Sequence, residues 1–296
     1  MSHAATDPES APDERAQRVQ RYEHEGLVFD VRDTGPLDGD PVVLLHGFPE
    51  RASCWDAVAP LLHARGLRTL APDQRGYSPG ARPRRRRDHR VQHLVDDVVA
   101  LASSPALAGR PVHLVGHDWG AVVAWYVAAQ RPDLVRTLTA VSVPHPLAYL
   151  RSVATSTQLF KSWYMFVFQV PGLVERLART QRFDQVLLAG GMTEAEVARF
   201  RREMVGEGAL RGGLMWYRAL PMPARRLLDA QVQVPTTLLW SDGDRFVGEA
   251  GARWTPRYVE ADYRYERLPG VSHWVPGQAP EVLAAVALER ITGEIR

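Results

Sequence analysis

The 296-residue sequence predicts an α/β protein with a mostly parallel central sheet flanked by helices. Short, unbroken apolar runs recur along the chain, which is how strands read when both faces of a sheet are covered. Amphipathic helical stretches lie between several of these runs, and this alternation is typical of parallel sheets. A long segment near the middle has no strand-like run and predicts a helical insertion into the core.

The predicted strands cover 27–31, 42–45, 67–71, 112–115, 138–143 and 236–240, with a final strand ending at Leu268; the predicted helices lie near 52–64, 91–102, 120–130 and 280–292. From Pro144 to about Asp229, helical stretches and aromatic residues replace the strands. We therefore expect 19–143 and 229–296 to form the core. Residues 144–228 are expected to form a helical lid at the carboxyl end of a strand, where open α/β sheets bind ligands. Residues 1–18 are polar and are expected to be a frayed tail.

Composition and charge exclude several classes of function. The chain is 45% apolar and 24% charged with a formal net charge of +2, so no polyanionic partner is indicated. The arginine run at 82–90 lacks interleaved aromatics and is expected to be a solvated loop rather than a nucleic-acid site. Cys54 is the only cysteine, so no internal disulfide can form, and we expect a packed thiol.

Targeting signals are also missing from the sequence as given. No apolar run approaches the length of a membrane span, and the polar start lacks the apolar core of a signal peptide. A cytoplasmic protein without a membrane partner is expected, in keeping with the lone cysteine. Lys161 is the only lysine among 36 basic residues, which we attribute to coding bias.

The segment Gly116-His117-Asp118-Trp119-Gly120 lies between a predicted strand and a predicted helix. A nucleophile flanked by small residues at this position forms a nucleophile elbow, a sharp turn that lifts one side chain above the sheet edge. The glycines belong there because the backbone passes too close to itself for a Cβ. Asp118 at the apex indicates a carboxylate that attacks saturated carbon and leaves an alkyl ester, which water then cleaves.

A nucleophile of this kind is followed along the chain by an acid and a histidine, each on a loop after a later strand. His273 follows the last predicted strand and is the expected base. Asp242 and Asp244 both follow the strand at 236–240; we favour Asp244 as the acid, with Asp242 as a turn residue. The backbone N–H groups of Phe48 and Trp119 are expected to form the oxyanion hole.

Several segments together resemble the epoxide hydrolases of the α/β-hydrolase fold, from about Glu25 to the C-terminus. They are His46-Gly47-Phe48-Pro49-Glu50, Asp73-Gln74-Arg75-Gly76-Tyr77-Ser78, the elbow, and two lid stretches that begin at Trp163 and Met215. The resemblance implies that Tyr164 and Tyr217 are the pair of phenols that assist ring opening. The family's acid loop commonly reads Trp-Gly-x-x-Asp; here Trp240-Ser241-Asp242-Gly243-Asp244 favours Asp244 by spacing, although the second aspartate departs from the pattern.

These parts imply hydrolysis of a small, mostly apolar epoxide to a vicinal diol, with water as the second substrate. Tyr164 and Tyr217 would hydrogen-bond the epoxide oxygen, Asp118 would open the ring, and His273, oriented by Asp244, would activate water. No metal or cofactor is expected, no nucleic acid or membrane partner is indicated, and a homo-oligomer is compatible with the sequence.

Two other functions share part of this pattern. A haloalkane dehalogenase has the same aspartate nucleophile, but a halide needs N–H donors, and Phe48 offers no side-chain donor where one would help. A non-catalytic ligand-binding protein on the same scaffold is disfavoured, because the sequence carries a complete set of nucleophile, acid and base.

Overall fold

A computed structural model describes residues 18–222 and 231–293. It contains an eight-stranded sheet with the order β1-β2-β4-β3-β5-β6-β7-β8. The strands are β1 (Arg21–His24), β2 (Leu27–Thr34), β3 (Pro41–Leu45), β4 (Arg68–Pro72), β5 (Val112–His117), β6 (Val135–Val141), β7 (Thr236–Ser241) and β8 (Tyr263–Leu268). β3 to β8 are mutually parallel, whereas β2 is antiparallel to both of its neighbours. The predicted mostly parallel sheet is confirmed.

The unbroken apolar runs are explained by burial on both faces of the sheet. In β3, Val43 and Leu45 belong to one buried apolar cluster, whereas Val42 and Leu44 belong to a second. Successive strand side chains point to opposite faces, so both alternating sets need apolar residues when both faces are covered. The first cluster includes residues of the helices at 91–102 and 119–130, and the second includes residues of the C-terminal helix.

The helices of the core are α1 (Ala59–His63), α2 (Val91–Ala102), α3 (Trp119–Gln130), α11 (Glu249–Trp254), α12 (Val275–Gln278) and α13 (Pro280–Thr292). Short 3₁₀ turns occupy Ala52–Trp55, Pro79–Ala81, Arg86–His89, Pro105–Leu107 and Thr255–Tyr258. The helical stretch predicted near 52–64 consists of two separate helical segments. A 3₁₀ turn and α1 divide it, and Pro60 lies in the first turn of α1, because proline cannot donate to the preceding turn of a longer helix.

The helices and strands described between β6 and β7 are all helices. These helices are α4 (Pro146–Thr155), α5 (Gln158–Lys161), α6 (Tyr164–Phe168), α7 (Leu173–Leu177), α8 (Gln181–Ala189), α9 (Glu194–Phe200) and α10 (Leu210–Ala219), with a π-helical turn at Arg201–Gly206. The expected boundary between lid and core at 228/229 lies outside the described residues, as do 1–17 of the expected tail.

α10 is anchored to the core by a close backbone approach. A Cβ on Gly212 would overlap the carbonyl of Gly76, and one on Gly76 would meet the backbone of Gly212. The indole N–H of Trp216 donates to the carbonyl of Arg75 across 2.7 Å, one residue away from the same contact. Both segments therefore need glycine at the point where they touch.

Three features that bear on partners are visible in the described ranges. Cys54 is buried, and burial raises the pKa of its thiol well above the ordinary value. The arginine side chains at 84–87 are exposed, as a solvated loop requires. None of the helices in 18–222 and 231–293 has the length and apolar character needed to cross a bilayer.

Candidate active site

The elbow lies at the end of β5 and the start of α3. Asp118 has φ 52° and ψ −120°, and non-glycine residues rarely adopt a positive φ. A Cβ on Gly120 would overlap the carbonyl of Leu45, and one on Gly116 would meet the backbone of Gly120. Backbone strain at a single residue that is held by such close contacts is characteristic of functional sites. The small residues expected around the nucleophile are therefore required by the geometry.

The Asp118 carboxylate has a partner at each oxygen. Oδ1 accepts a hydrogen bond from the backbone N–H of Phe48 at 2.8 Å, and Oδ2 lies 3.4 Å from Nε2 of His273. Burial opposes ionisation, but the His273 hydrogen bond and charge, with His117 and the Phe48 N–H, hold the pKa of Asp118 below its usual value. Asp118 is thus an anion before any substrate arrives.

His273 joins Asp118 to a second carboxylate. Its Nδ1 lies 2.6 Å from Oδ2 of Asp244, whose Oδ1 accepts from the backbone N–H groups of Phe246 and Val247 at 2.7 and 2.9 Å. Burial lowers the pKa of His273, but the charge of Asp244 and the hydrogen bonds and charges of both carboxylates outweigh it and raise the pKa to about 10. The imidazole is therefore protonated between two carboxylates at neutral pH.

Asp242, the alternative acid, has different partners. Its Oδ1 accepts from the backbone N–H of Gly270 at 2.6 Å, and its Oδ2 pairs with Arg267 at 3.1 Å. These contacts tie the loop after β7 to the turn after β8 at the protein surface. Between the two aspartates, Asp244 is the one that meets His273.

Of the two residues expected to form an oxyanion hole, Phe48 is hydrogen-bonded to Asp118 and Trp119 follows it in sequence. Phe48 donates its backbone N–H to Oδ1, as described above. Trp119 is the first residue of α3, and the first N–H groups of a helix have no acceptor within the helix. The Phe48 N–H thus already contacts Oδ1, and the Trp119 N–H has no acceptor within α3.

Tyr164 and Tyr217 come from α6 and α10, with ring centroids 6.2 Å apart. The ring of Tyr217 packs edge-on against those of Phe48 and Trp119, each at 5.2 Å. Burial, followed by neighbouring acidic groups that include Asp118, raises the pKa of both phenols well above the ordinary value. Both therefore stay protonated and remain hydrogen-bond donors.

A cavity of about 370 Å³ brings these groups together. Asp118, Trp119, Tyr164 and Tyr217 all line it, and most of the other lining side chains are apolar: Val91, Val122, Tyr126, Val143, Pro146, Tyr149, Leu150, Val153, Leu159, Ser162, Met165, Phe166, Leu220 and Val247. A mostly apolar cavity with a few convergent polar groups is the usual form of a small-molecule site. Within the described ranges, no group of three or more His, Cys, Asp or Glu side chains is arranged to hold a metal ion.

Sequence reasoning assigned no role to several neighbours of the site. His117 Nε2 lies 2.8 Å from the backbone carbonyl of His273, and its Nδ1 lies 3.4 Å from the buried carboxylate of Glu50. Arg199 of α9 pairs with the same carboxylate at 2.7 Å. Tyr149 also lines the cavity. Glu50 lies in the segment that begins at His46, and His117 lies in the elbow. Only their proximity to α9 in the folded protein distinguishes them from packing residues.

The fold and this site together define a class of protein. A model of the Alpha/beta hydrolase family matches residues 42–286, most of the chain, and the chain belongs to that family. It is 32% identical over 282 residues to the AB hydrolase superfamily protein YfhM of Bacillus subtilis, covering 91% of this chain and 96% of that protein.

Other proteins similar to this chain are epoxide hydrolases. The chain is 32% identical over 278 residues to Epoxide hydrolase 3 of Xenopus tropicalis, covering 88% of this chain and 74% of that protein. The crystal structure of the epoxide hydrolase VrEH1 from Vigna radiata superimposes with a TM-score of 0.77 at 26% identity, over 95% of this chain and 99% of that one. The chain is a member of the epoxide hydrolase family.

Proposed function

We propose that this chain hydrolyses small, mostly apolar epoxides to vicinal diols through an ester on Asp118. The observation that carries the proposal is the shared cavity, which an ionised aspartate and two protonated phenols line together. We also propose that residues 144–228 act as the lid of this cavity, since α4, α5, α6 and α10 supply much of its lining.

In the first step Asp118 opens the epoxide. Oδ2 attacks a ring carbon, the carbon–oxygen bond on that carbon breaks, and the departing oxygen takes a proton from Tyr164 or Tyr217. Oδ1 keeps its hydrogen bond to the Phe48 N–H and becomes the carbonyl oxygen of the ester. Since an alkoxide is a poor leaving group, the phenols supply the proton or hydrogen bond that lets it depart.

Ester formation also prepares the base for the second step. The free enzyme holds a protonated His273 between two carboxylates, and alkylation removes the charge of Asp118. The pKa of His273 then falls, because Asp244 is the only one of the two carboxylates whose charge still opposes the effect of burial. The proton that His273 releases balances the one that a phenol gave to the product oxygen.

In the second step His273 takes a proton from water, which attacks Cγ of Asp118. The negative charge that develops on Oδ1 meets the N–H groups of Phe48 and Trp119, and loss of one such donor typically costs about 3 kcal/mol. The bond between Cγ and Oδ2 breaks, and the departing oxygen takes the proton from His273. The diol therefore leaves with Oδ2, and the water oxygen remains on Asp118.

Two measurements test the mechanism. His273→Gln, mixed with an epoxide, should accumulate a protein species heavier by the mass of the epoxide, with the label on the peptide containing Asp118; Asp118→Asn is the matched control and should gain none. A single turnover of the wild-type enzyme in H₂¹⁸O should give unlabelled diol and one ¹⁸O on Asp118. Labelled diol in that first turnover would show direct attack of water on the epoxide. Halide release from haloalkanes without any diol from epoxides would favour a dehalogenase.

A further inference from the structure

One turn of the lid is hydrogen-bonded to the loop that carries Asp244. From α5, Lys161 donates its Nζ to the backbone carbonyl of Asp244 at 2.9 Å. Gln158 donates its Nε2 to the carbonyl of Phe246 at 2.8 Å and accepts from the N–H of Gly248 with its Oε1, also at 2.8 Å. Three hydrogen bonds thus connect one helical turn with residues 244–248, which we call the acid loop.

These bonds lie where water is scarce. Gln158 is 1% exposed, and Lys161 is half-buried. A buried amide that loses its partner keeps the full cost of desolvation, because water does not replace the missing bond. The ammonium group gives a charge-assisted bond, which is roughly twice as strong as a neutral one. The contacts between α5 and the acid loop are therefore strong enough to fix the loop's position.

The acid loop contacts groups from both halves of the proposed reaction. Its Asp244 carboxylate meets His273 at 2.6 Å, and the ring of Phe246 packs 5.4 Å from the His273 ring and 5.5 Å from that of Tyr164. Tyr164 itself begins α6, three residues after Lys161. A small displacement of the acid loop would therefore change the Asp244–His273 hydrogen bond directly.

We propose that Gln158 and Lys161, the acid-loop clamp, are positioning residues that hold Asp244 in line with His273 for hydrolysis of the ester. The inference rests on the proposed function, because the step that the clamp serves is that hydrolysis. Alkylation depends much less on it, since Asp118 attacks as an anion without a base.

Rapid-quench measurement of ester formation and ester breakdown separates the two steps. We expect Lys161→Met to slow breakdown about tenfold and Gln158→Leu somewhat more, the size of effect that losing a buried or charge-assisted hydrogen bond gives. Formation should stay within about threefold of wild type. Lys161→Arg, which keeps the charge, should recover most of the lost rate. Arg182→Met, which removes an exposed charge from α8 of the lid, is the matched control and should change neither step.

The pH dependence of ester breakdown distinguishes a role in positioning Asp244 from a general loss of order in the lid. The groups that face His273 are Asp118, Asp244 and His117, with Glu50 behind His117. In the ester, Asp118 is neutral, so a weaker Asp244 contact lowers the pKa of His273. The acid limb of the breakdown profile should therefore move to lower pH in Lys161→Met, while the plateau rate falls.

The outcomes are distinguishable. Unchanged breakdown in both clamp variants, or an equal loss in formation and breakdown with the acid limb unmoved, overturns the clamp and leaves the proposed function standing. Absence of any ester in the wild-type enzyme overturns the proposed function first, and the clamp with it. Lys161 is half-buried at the surface of α5, so Lys161→Met is the variant that keeps the test valid if Gln158→Leu does not fold.

Discussion

Asp244→Asn removes the negative charge beside His273 with almost no change in volume. Oδ2 of Asp244 lies 2.6 Å from Nδ1 of His273, while Oδ1 accepts two backbone N–H groups. An asparagine has one acceptor oxygen for these two sets of donors. If its oxygen keeps the backbone donors, its NH₂ group faces Nδ1, which must then be unprotonated. The imidazole carries its proton on Nε2 in that tautomer and is unable to accept one from water.

The magnitude follows from these contacts. A hydrogen bond to a charged group contributes about 1.5–3 kcal/mol, which corresponds to roughly a 10- to 150-fold slower step. The wrong tautomer adds to this, and loss of the acid in a Ser-His-Asp triad costs about 10⁴ in kcat. We therefore expect ester breakdown in Asp244→Asn to slow by about 10² to 10⁴, with ester formation changed by less than about tenfold.

Asp242→Asn is the control, because its carboxylate is bonded to Gly270 and Arg267 at the surface. Rapid quenching of both variants with one epoxide, followed by intact-protein mass spectrometry, measures how much ester accumulates. Asp244→Asn should accumulate it, and Asp242→Asn should turn over within about threefold of wild type. If Asp242→Asn were the slower variant, the role given to Asp244 would be wrong.

Three further outcomes are expected. Tyr164→Phe and Tyr217→Phe should each slow ester formation by roughly ten- to a thousandfold, with the double variant nearly inactive yet folded by circular dichroism, because the ring volume is kept; unchanged formation in the double variant would remove the case for assisted ring opening. Gly47→Ala should slow ester formation by at least about a hundredfold in the same assay, since its Cβ would overlap the Asp118 carboxylate, and wild-type rates would contradict so close an approach of the two residues. The pKa of His273 is about 10 in the folded protein and about 6.5 in the unfolded chain. Its contribution to the free energy of unfolding is therefore complete below pH 6.5 and is lost as the pH rises towards 10. The difference in urea midpoint between wild type and His273→Gln should shrink over that interval, and a constant difference would argue against the raised pKa.

Buried strands were predictable from the sequence because their environment is the same on both faces. Each predicted strand overlaps an observed one, with ends shifted by a few residues. β1 was missed, since Arg21–His24 lies at the sheet edge with half-exposed and exposed polar side chains and has no apolar run. The helical stretch near 52–64 is divided in two, because Pro60 favours the first turn of a new helix over the middle of a longer one.

The site was predictable in part. The elbow is a local backbone device, so its residues appear together in the sequence, and the order of acid and base follows from the order of strands. The choice between Asp242 and Asp244 depends on which side chain turns inward, and two residues of one loop give no periodic signal for that. Tyr149 and Gln158 reach the cavity and the acid loop only through the packing of α4 and α5, which the sequence pattern does not specify.

Two separate sets of contacts support the lid. One is the backbone contact between Gly76 and Gly212, and the other is the acid-loop clamp. α10 is joined to the core through that contact, so Tyr217 keeps its place relative to the sheet, whereas Tyr164 follows α5 and the acid loop. The position of an epoxide oxygen that is hydrogen-bonded to both phenols would depend on the spacing between the two supports. Preference between mirror-image epoxides would then be adjustable through the α10 support without moving the acid loop, Asp244 or His273.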